Sequence, residues 1–300
     1  MPIRCNPRRS IPSCYGRALA TMAAILLAGA SAMPALASGP RPVSQQPARP
    51  QVPVPAAALA VPGSGAVLWA REPGRRRPMG SITKVMTALL VLRAGHLNRV
   101  ITVTRAAVAY GHRDGASNAG LVAGDKLTAR QLLRAMLLPS GCDAAYLLAT
   151  TYGPGRPAFI AKMNTMARRL EMRSTHFSWF DGMPYPTEHS TYSTPADLLT
   201  LGQAAMASRQ FRRIVAERSY YLPATRRHHA YHWTNTNALL RTYRGAIGIK
   251  TGDTSAAGDC IMFEARRSRH ALIGVVLHAR TFSAAFAAAT VILNWGYRHT

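Results

Sequence analysis

AIGIKTGDTSAAGDCIMFEARRSRHALIGVVLHA, residues 246–279, decides the fold. Three β-rich runs (AIGIKTG, CIMFEARR and ALIGVVLHA) are split by the polar turns GDTSAAGD and RRSRH, the spacing of an antiparallel meander. Outward from it, SYYLPA (219–224) adds another strand signal, and SAAFAAATVILNWGY (283–297) reads as a closing helix. GAVLWA (65–70) is a short strand ahead of the turn REPGRRRP. Ser81 to Ala94 is predicted as a helix apolar on nearly every side, and so buried. Residues 105–210 read as mainly helical. TARQLLRAMLL starts at a Thr128 cap, FIAKMNTMARRL has helical periodicity, and TPADLLTLGQAAM has Thr194 as cap with Pro195 in the first turn. The expected architecture is α/β plus all-α: an antiparallel sheet flanked by helices, with an inserted helical subdomain at about 105–210.

Upstream, Arg4, Arg8, Arg9 and Arg17 precede the apolar run ALATMAAILLAGASAMPALA, which ends in the small-residue site Ala35-Leu36-Ala37. That order predicts a secretory signal peptide over residues 1–37. Gly29 and Pro34 interrupt the run, which disfavours a membrane anchor, and the SIP after Arg8-Arg9 fits a twin-arginine signal poorly. Residues 38–57 are proline-rich and predict a disordered linker, with the folded domain at 58–300. Losing residues 1–37 removes four arginines and no acids, so the formal charge of +25 becomes +21. Such a surface attracts polyanions. For an exported chain these are anionic cell-wall polymer or a membrane surface, and no nucleic-acid motif is present. Cys142 and Cys260 remain, too few for a disulfide framework, with pairing between them left open. HHAYH (228–232) lacks a second-ligand pattern and reads as a polar turn beside a strand.

The chemistry is signalled by lysine. Only four of 37 cationic residues are lysine: Lys84, Lys126, Lys162 and Lys250. Arginine stays protonated, whereas a desolvated lysine can serve as a base. Ser81 and Lys84 lie three residues apart at the start of the buried helix, on one face, where an amine reaches the hydroxyl one turn away. Ser140 and Cys142 occupy a Gly-bearing turn between two helices, in LLPSGCDAAYLL. Lys250 and Thr251 end an apolar strand, and Gly252 after them allows close backbone approach. Each piece alone is weak; in this order they spell SxxK, SxN-like and KTG.

With these motifs the chain resembles the serine D-alanyl-D-alanine carboxypeptidases, the low-molecular-mass penicillin-binding proteins. MTALL, MNTMARRLEM with THF beyond it, STPADLLTL and TNTNALLR extend the likeness from about residue 58 to the C-terminus. It implies the β-lactamase/penicillin-binding transpeptidase-like fold, with the active site between an α/β and an all-helical part. It implies Ser81 as the nucleophile toward peptidoglycan stem peptides ending in D-Ala-D-Ala, Lys84 as its base and Ser140 as a proton shuttle. Lys250, Thr251 and Gly252 would bind substrate, as would Cys142, and the backbone N–H groups of Ser81 and Asp253 would form the oxyanion hole. β-Lactams are the expected inhibitors, and neither cofactor nor metal is expected.

Cys142 stands where most relatives have asparagine, and a thiol cannot copy an amide's donor and acceptor set. Asp253 is unwelcome near a substrate carboxylate unless its side chain points away. The C-terminal domain and anchor of many relatives are missing from the likeness, so membrane association is expected to rest on charge or an uncleaved leader. DD-transpeptidase or endopeptidase action uses the same acyl-enzyme. A β-lactamase would need a glutamate-positioned water, for which Glu171, Glu188, Glu217 and Glu264 offer no matching context. A non-catalytic wall-binding homologue would not keep both motif lysines.

Overall fold

The computed structural model describes residues 49–300. The expected signal peptide and most of the expected linker lie outside them. In chain order, β1 (Ala56–Ala60) and β2 (Val67–Arg71) lead to a 3-10 turn, Gly80–Thr83, that runs on into α1 (Lys84–Ala94). There follow β3 (Val100–Thr102), α2 (Arg105–Gly111), β4 (Lys126–Thr128), α3 (Ala129–Leu137), α4 (Cys142–Tyr152) and α5 (Arg156–Arg169). After an irregular stretch come α6 (Pro195–Met206), α7 (Arg209–Val215), β5 (Ser219–Leu222), β6 (Tyr231–Thr234) and α8 (Leu239–Thr242). The quoted meander is β7 (Ala246–Gly252), β8 (Asp259–Arg267) and β9 (His270–Ala279), closed by α9 (Phe282–Tyr297).

Five strands form one antiparallel sheet in the order β2-β1-β9-β8-β7. Alternation along the strands divides its residues between two cores. Ala56, Ala58, Ile249, Met262, Ile273 and Val275 face the helical side, with α1, α3, α4 and α6. Ala57, Leu59, Ile261, Phe263, Leu272 and Val276 face α9, through Ala285, Ala289, Ile292 and Leu293. The meander was legible in the sequence as β-rich runs split by polar turns, and the closing helix as a long apolar segment after the last of them.

Two boundaries are corrected. The packed chain begins before residue 58: Val52 and Val54 are buried and β1 starts at Ala56. β1 reads AAALA, and alanine, with no branched or aromatic side chain, gives little strand signal. It is nonetheless a wholly buried inner strand. Nor is 105–210 one helical block. It includes β4, which pairs with β3 from outside that range, and α6, whose Gly202 approaches Ile273 and Met262 on the sheet.

The irregular stretch 170–194 is held by side chains rather than regular structure. The amide of Asn164 donates to Phe177 O (2.7 Å) and accepts from Phe177 N (2.9 Å). Asp197 Oδ2 accepts from Ser174 N (2.9 Å) and Thr175 Oγ1 (2.7 Å). Segments recognised from sequence as MNTMARRL and STPADLL thus anchor the chain that leads to Asp181.

Candidate active site

The 3-10 turn carrying Ser81 lies against the C-terminal end of β7, one of the two edge strands of the sheet. Here bulk is excluded by backbone. A Cβ on Gly252 would meet Met79 O at 2.6 Å, Ile82 N at 2.7 Å and Ser81 N at 2.8 Å. Gly182 closes the same turn from the other side, with φ of +91° and a Cβ position 2.0 Å from Gly80 O. Gly182→Ala combines a disfavoured backbone region with a clash against backbone that cannot step aside. We expect it to cost about 3 kcal/mol or more of stability, read by chemical denaturation, with loss of penicillin labelling at ambient temperature.

Lys84 is fully buried at the start of α1. Its Nζ lies 2.7 Å from Ser81 Oγ, 3.0 Å from the Asp181 carbonyl and 3.4 Å from Cys142 Sγ. Three contacts around one nitrogen fix it tightly beside the serine. Asp181 is the residue that sequence reading missed. Its carbonyl faces Lys84, while its carboxylate accepts from Tyr110 Oη (2.9 Å) and Met183 N (3.0 Å). Trp179 Nε1 donates in turn to Tyr110 Oη (2.6 Å). Burial, with the Asp181 charge adding to it, pushes the Tyr110 phenol upward, so it stays a neutral donor. The available signal was the Asp-Gly pair at 181–182 in an otherwise aromatic stretch, and it marks a turn rather than a role.

Ser140 stands at φ +69° between α3 and α4, and its buried Oγ has no hydrogen-bond partner among the described residues. An unsatisfied buried hydroxyl costs about 1–3 kcal/mol, a penalty expected where a group is kept for a substrate. Behind it, Asp143 accepts from Ala119 N, Leu121 N and Ala144 N and so ties the turn to the 117–121 loop. Cys142 is 1% exposed, and burial pushes its thiol up to about 12, with the nearby Lys84 charge only partly opposing this. It is a thiol rather than a thiolate at neutral pH. Cys142 and Cys260 are both free; Cys260 lies on β8, where His278 N donates to its sulfur, and the pairing left open by the sequence does not form.

Lys250 is completely buried on β7, and Nζ donates to Thr251 O (3.0 Å). Burial, reinforced by the Lys84 charge, lowers it to about 7. Thr251 Oγ1 pairs with Thr236 Oγ1 (2.6 Å), which gives the TNTN segment its place behind β7. The Ser81 and Asp253 N–H groups make no hydrogen bond among the described residues, and Asp253 N lies 2.6 Å from the position of a Cβ on Gly80. Both amides border the turn that carries Ser81. Asp253 itself lines a cavity of about 380 Å³ with Asp114, Glu188 and Asp259, a cavity to which Ser81, Lys250 and Thr251 do not contribute. The histidine-rich turn before β6 forms no metal cluster, and none occurs elsewhere among the described residues.

A hydroxyl 2.7 Å from a buried amine, two free amide donors and a buried cation next to a threonine are the parts for acyl transfer through an ester. Comparison with known proteins agrees. The family described as D-alanyl-D-alanine carboxypeptidase matches residues 43–281. The chain belongs to this family. It is 40% identical over 247 residues to the D-alanyl-D-alanine carboxypeptidase of Streptomyces sp. strain K15, covering 78% of this chain and 84% of that one. D-Alanyl-D-alanine carboxypeptidase DacB2 of Mycobacterium tuberculosis is 35% identical over 237 residues, covering 78% and 79%. The crystal structure of the Streptomyces K15 DD-transpeptidase superposes with a TM-score of 0.80 at 38% identity, covering 84% of this chain and 99% of that one. The expected fold is therefore borne out, and the protein is a serine peptidase with D-alanyl-D-alanine carboxypeptidase activity.

Proposed function

We propose that Ser81, Lys84 and Ser140 carry the reaction, and that Lys250 and Thr251 hold the terminal carboxylate of a peptidoglycan stem peptide. The observation that carries this is the 2.7 Å contact between Lys84 Nζ and Ser81 Oγ beside two unpaired N–H groups. Ser81 Oγ attacks the carbonyl of the penultimate D-alanine, and its proton passes to the Lys84 amine. The remaining amine hydrogens face Asp181 O and Cys142 Sγ, which keeps the accepting lone pair on the serine. The oxyanion receives the Ser81 and Asp253 N–H groups. Collapse expels the terminal D-alanine, whose nitrogen takes a proton through the Ser140 hydroxyl. Water then attacks the acyl-serine and releases the shortened peptide. Gly252 lets the strand approach, and Cys142 supplies a weak contact where an amide would make a strong one.

A second reading is DD-transpeptidase action, favoured by the likeness to the K15 DD-transpeptidase. Water and an amine then compete for one ester. Incubation with a D-Ala-D-Ala pentapeptide, with and without an acceptor amine, separates the two. Free D-alanine plus tetrapeptide is the expected product pair; cross-linked product alone would overturn hydrolysis as the main reaction. Nitrocefin should acylate the protein without rapid turnover.

Residues 1–37 fit an export signal and 38–48 a spacer, which would place the peptidase domain in the cell wall. Among the described residues no helix is long and apolar enough to cross a membrane. The charge of +21 after signal removal suits an anionic wall polymer or a membrane surface.

A further inference from the structure

At the end of α1 remote from Ser81, about 20 Å away at 1.5 Å per residue, lies a cavity of about 960 Å³. Its walls include His96, Arg99, Arg130 and Arg209. A second cavity of about 360 Å³ is lined by Lys126, Arg226, Arg227 and His228. The two are neighbours across one short ribbon: β3 and β4 pair Val100 with Thr128, Arg99 O accepts from Ala129 N (2.9 Å), and Leu97 O accepts from Arg130 N (3.0 Å). Arg99 and Arg130 open to the larger cavity, and Val100, Lys126 and Thr128 to the smaller.

The side-chain cations of this track are unengaged. Among the described residues, the side chains of Arg99, Arg130, Arg209, Arg226, Arg227 and Lys126 form no ion pair, hydrogen bond or ring contact, although other arginines do, as Arg134 does with Glu217. No acidic residue lines either cavity; the nearest along the chain, Asp125, lies beside the second and is held by His229 and Tyr231. Loop carbonyls that would compete are taken as well, since Tyr152 Oη donates to Gly95 O (3.1 Å) and His96 O (3.3 Å). Arg99, Arg130 and Arg209 thus stand apart from counter-charge in the larger cavity, while Arg226 and Arg227 also border a neighbouring cavity that Asp125 lines.

We propose that these two cavities form a binding track for a linear phosphodiester polymer, separate from the peptidase site. Guanidinium forks match phosphate oxygens in pairs. Two adjoining basic cavities suit a chain of repeated charges better than a single anion. No Phe, Tyr or Trp lines either cavity, so nucleic-acid bases find no stacking platform. Of the apolar side chains in the walls, Leu97 is buried, Leu92 is half-buried and Val100 stands exposed, which leaves little apolar surface to enter a bilayer.

The test uses the full chain and a synthetic poly(glycerol phosphate). Arg99→Gln/Arg130→Gln/Arg209→Gln is compared with Arg169→Gln/Arg241→Gln/Arg298→Gln, which removes equal charge elsewhere. The track variant should bind at least about tenfold more weakly, with a salt dependence shallower by about 2 in log–log slope, at about 0.7 per lost phosphate contact. The control should change less than about twofold. Arg226→Gln/Arg227→Gln, in an exposed turn, should weaken binding through the second cavity even if the triple variant misfolds. Fluorescent-penicillin labelling should persist in all variants that fold, which keeps this result independent of the catalytic reading. Equal weakening in track and control variants overturns the proposal. So does tighter binding to phosphatidylglycerol vesicles than to polymer at matched phosphate, or equal binding to a polycarboxylate of the same charge density.

Discussion

Ser81→Ala is expected to abolish covalent labelling by fluorescent penicillin and to lower D-alanine release by a factor on the order of 10⁶, the loss typical of removing a serine nucleophile. Thermal unfolding should barely change, because the hydroxyl is small and its one recorded side-chain partner is Lys84. Lys84→Arg tests the base. The positive charge and much of the length are kept, but a guanidinium cannot accept the serine proton. The expected loss in acylation rate is about 10²–10⁴-fold, the range for a general base. Its planar head must also fit a space where Nζ already meets Asp181 O and Cys142 Sγ. Lys84→Met therefore belongs in the same series: a similar loss in both variants assigns the defect to the missing base, and near-normal labelling in Lys84→Arg would remove lysine from that role.

Lys250→Met is the second large effect, and it divides function from stability. Losing one partner of a desolvated charge pair costs about 2–5 kcal/mol, so kcat/KM for carboxylate-bearing peptides should fall about 10²- to 10³-fold. Stability should rise, because an ammonium buried without a carboxylate is replaced by an apolar chain of similar shape. The pH dependence follows from the lowering of Lys250 to about 7 by burial and by Lys84. Between about 7 and the unfolded value of 10.5 the unfolded chain holds a proton that the folded one has lost. The cost of burying the ammonium is thus full below pH 7 and shrinks as pH rises toward 10. The stability gap between Lys250→Met and the parent should narrow over that window in denaturation at successive pH values. Substrate binding should behave in the opposite sense, weakening above pH 7 as the free protein loses the proton that pairs with the carboxylate. A gap constant from pH 6 to 10 would show that Lys250 titrates elsewhere.

The legible parts of the sequence were those where one residue type answers one physical demand. A lysine among arginines marked Ser81 and Lys84, and β-rich runs split by polar turns marked the sheet. β1 escaped because alanine satisfies a crowded inner strand without advertising it. Asp181 escaped for another reason: its contribution to Lys84 is a main-chain oxygen, which every residue has. The same holds for the paired N–H groups of Ser81 and Asp253, visible in the sequence only through resemblance. Side chains write themselves into sequence, whereas backbone donors and acceptors appear only when the chain is folded.

Cys142 and Cys260 are both sealed from solvent, and burial pushes each thiol up to about 12. Oxidants and electrophiles attack the thiolate. The packing around Cys142 therefore also bears on the chemical lifetime of the site: a sulfur 3.4 Å from the Lys84 amine meets oxidant only as fast as the protein opens.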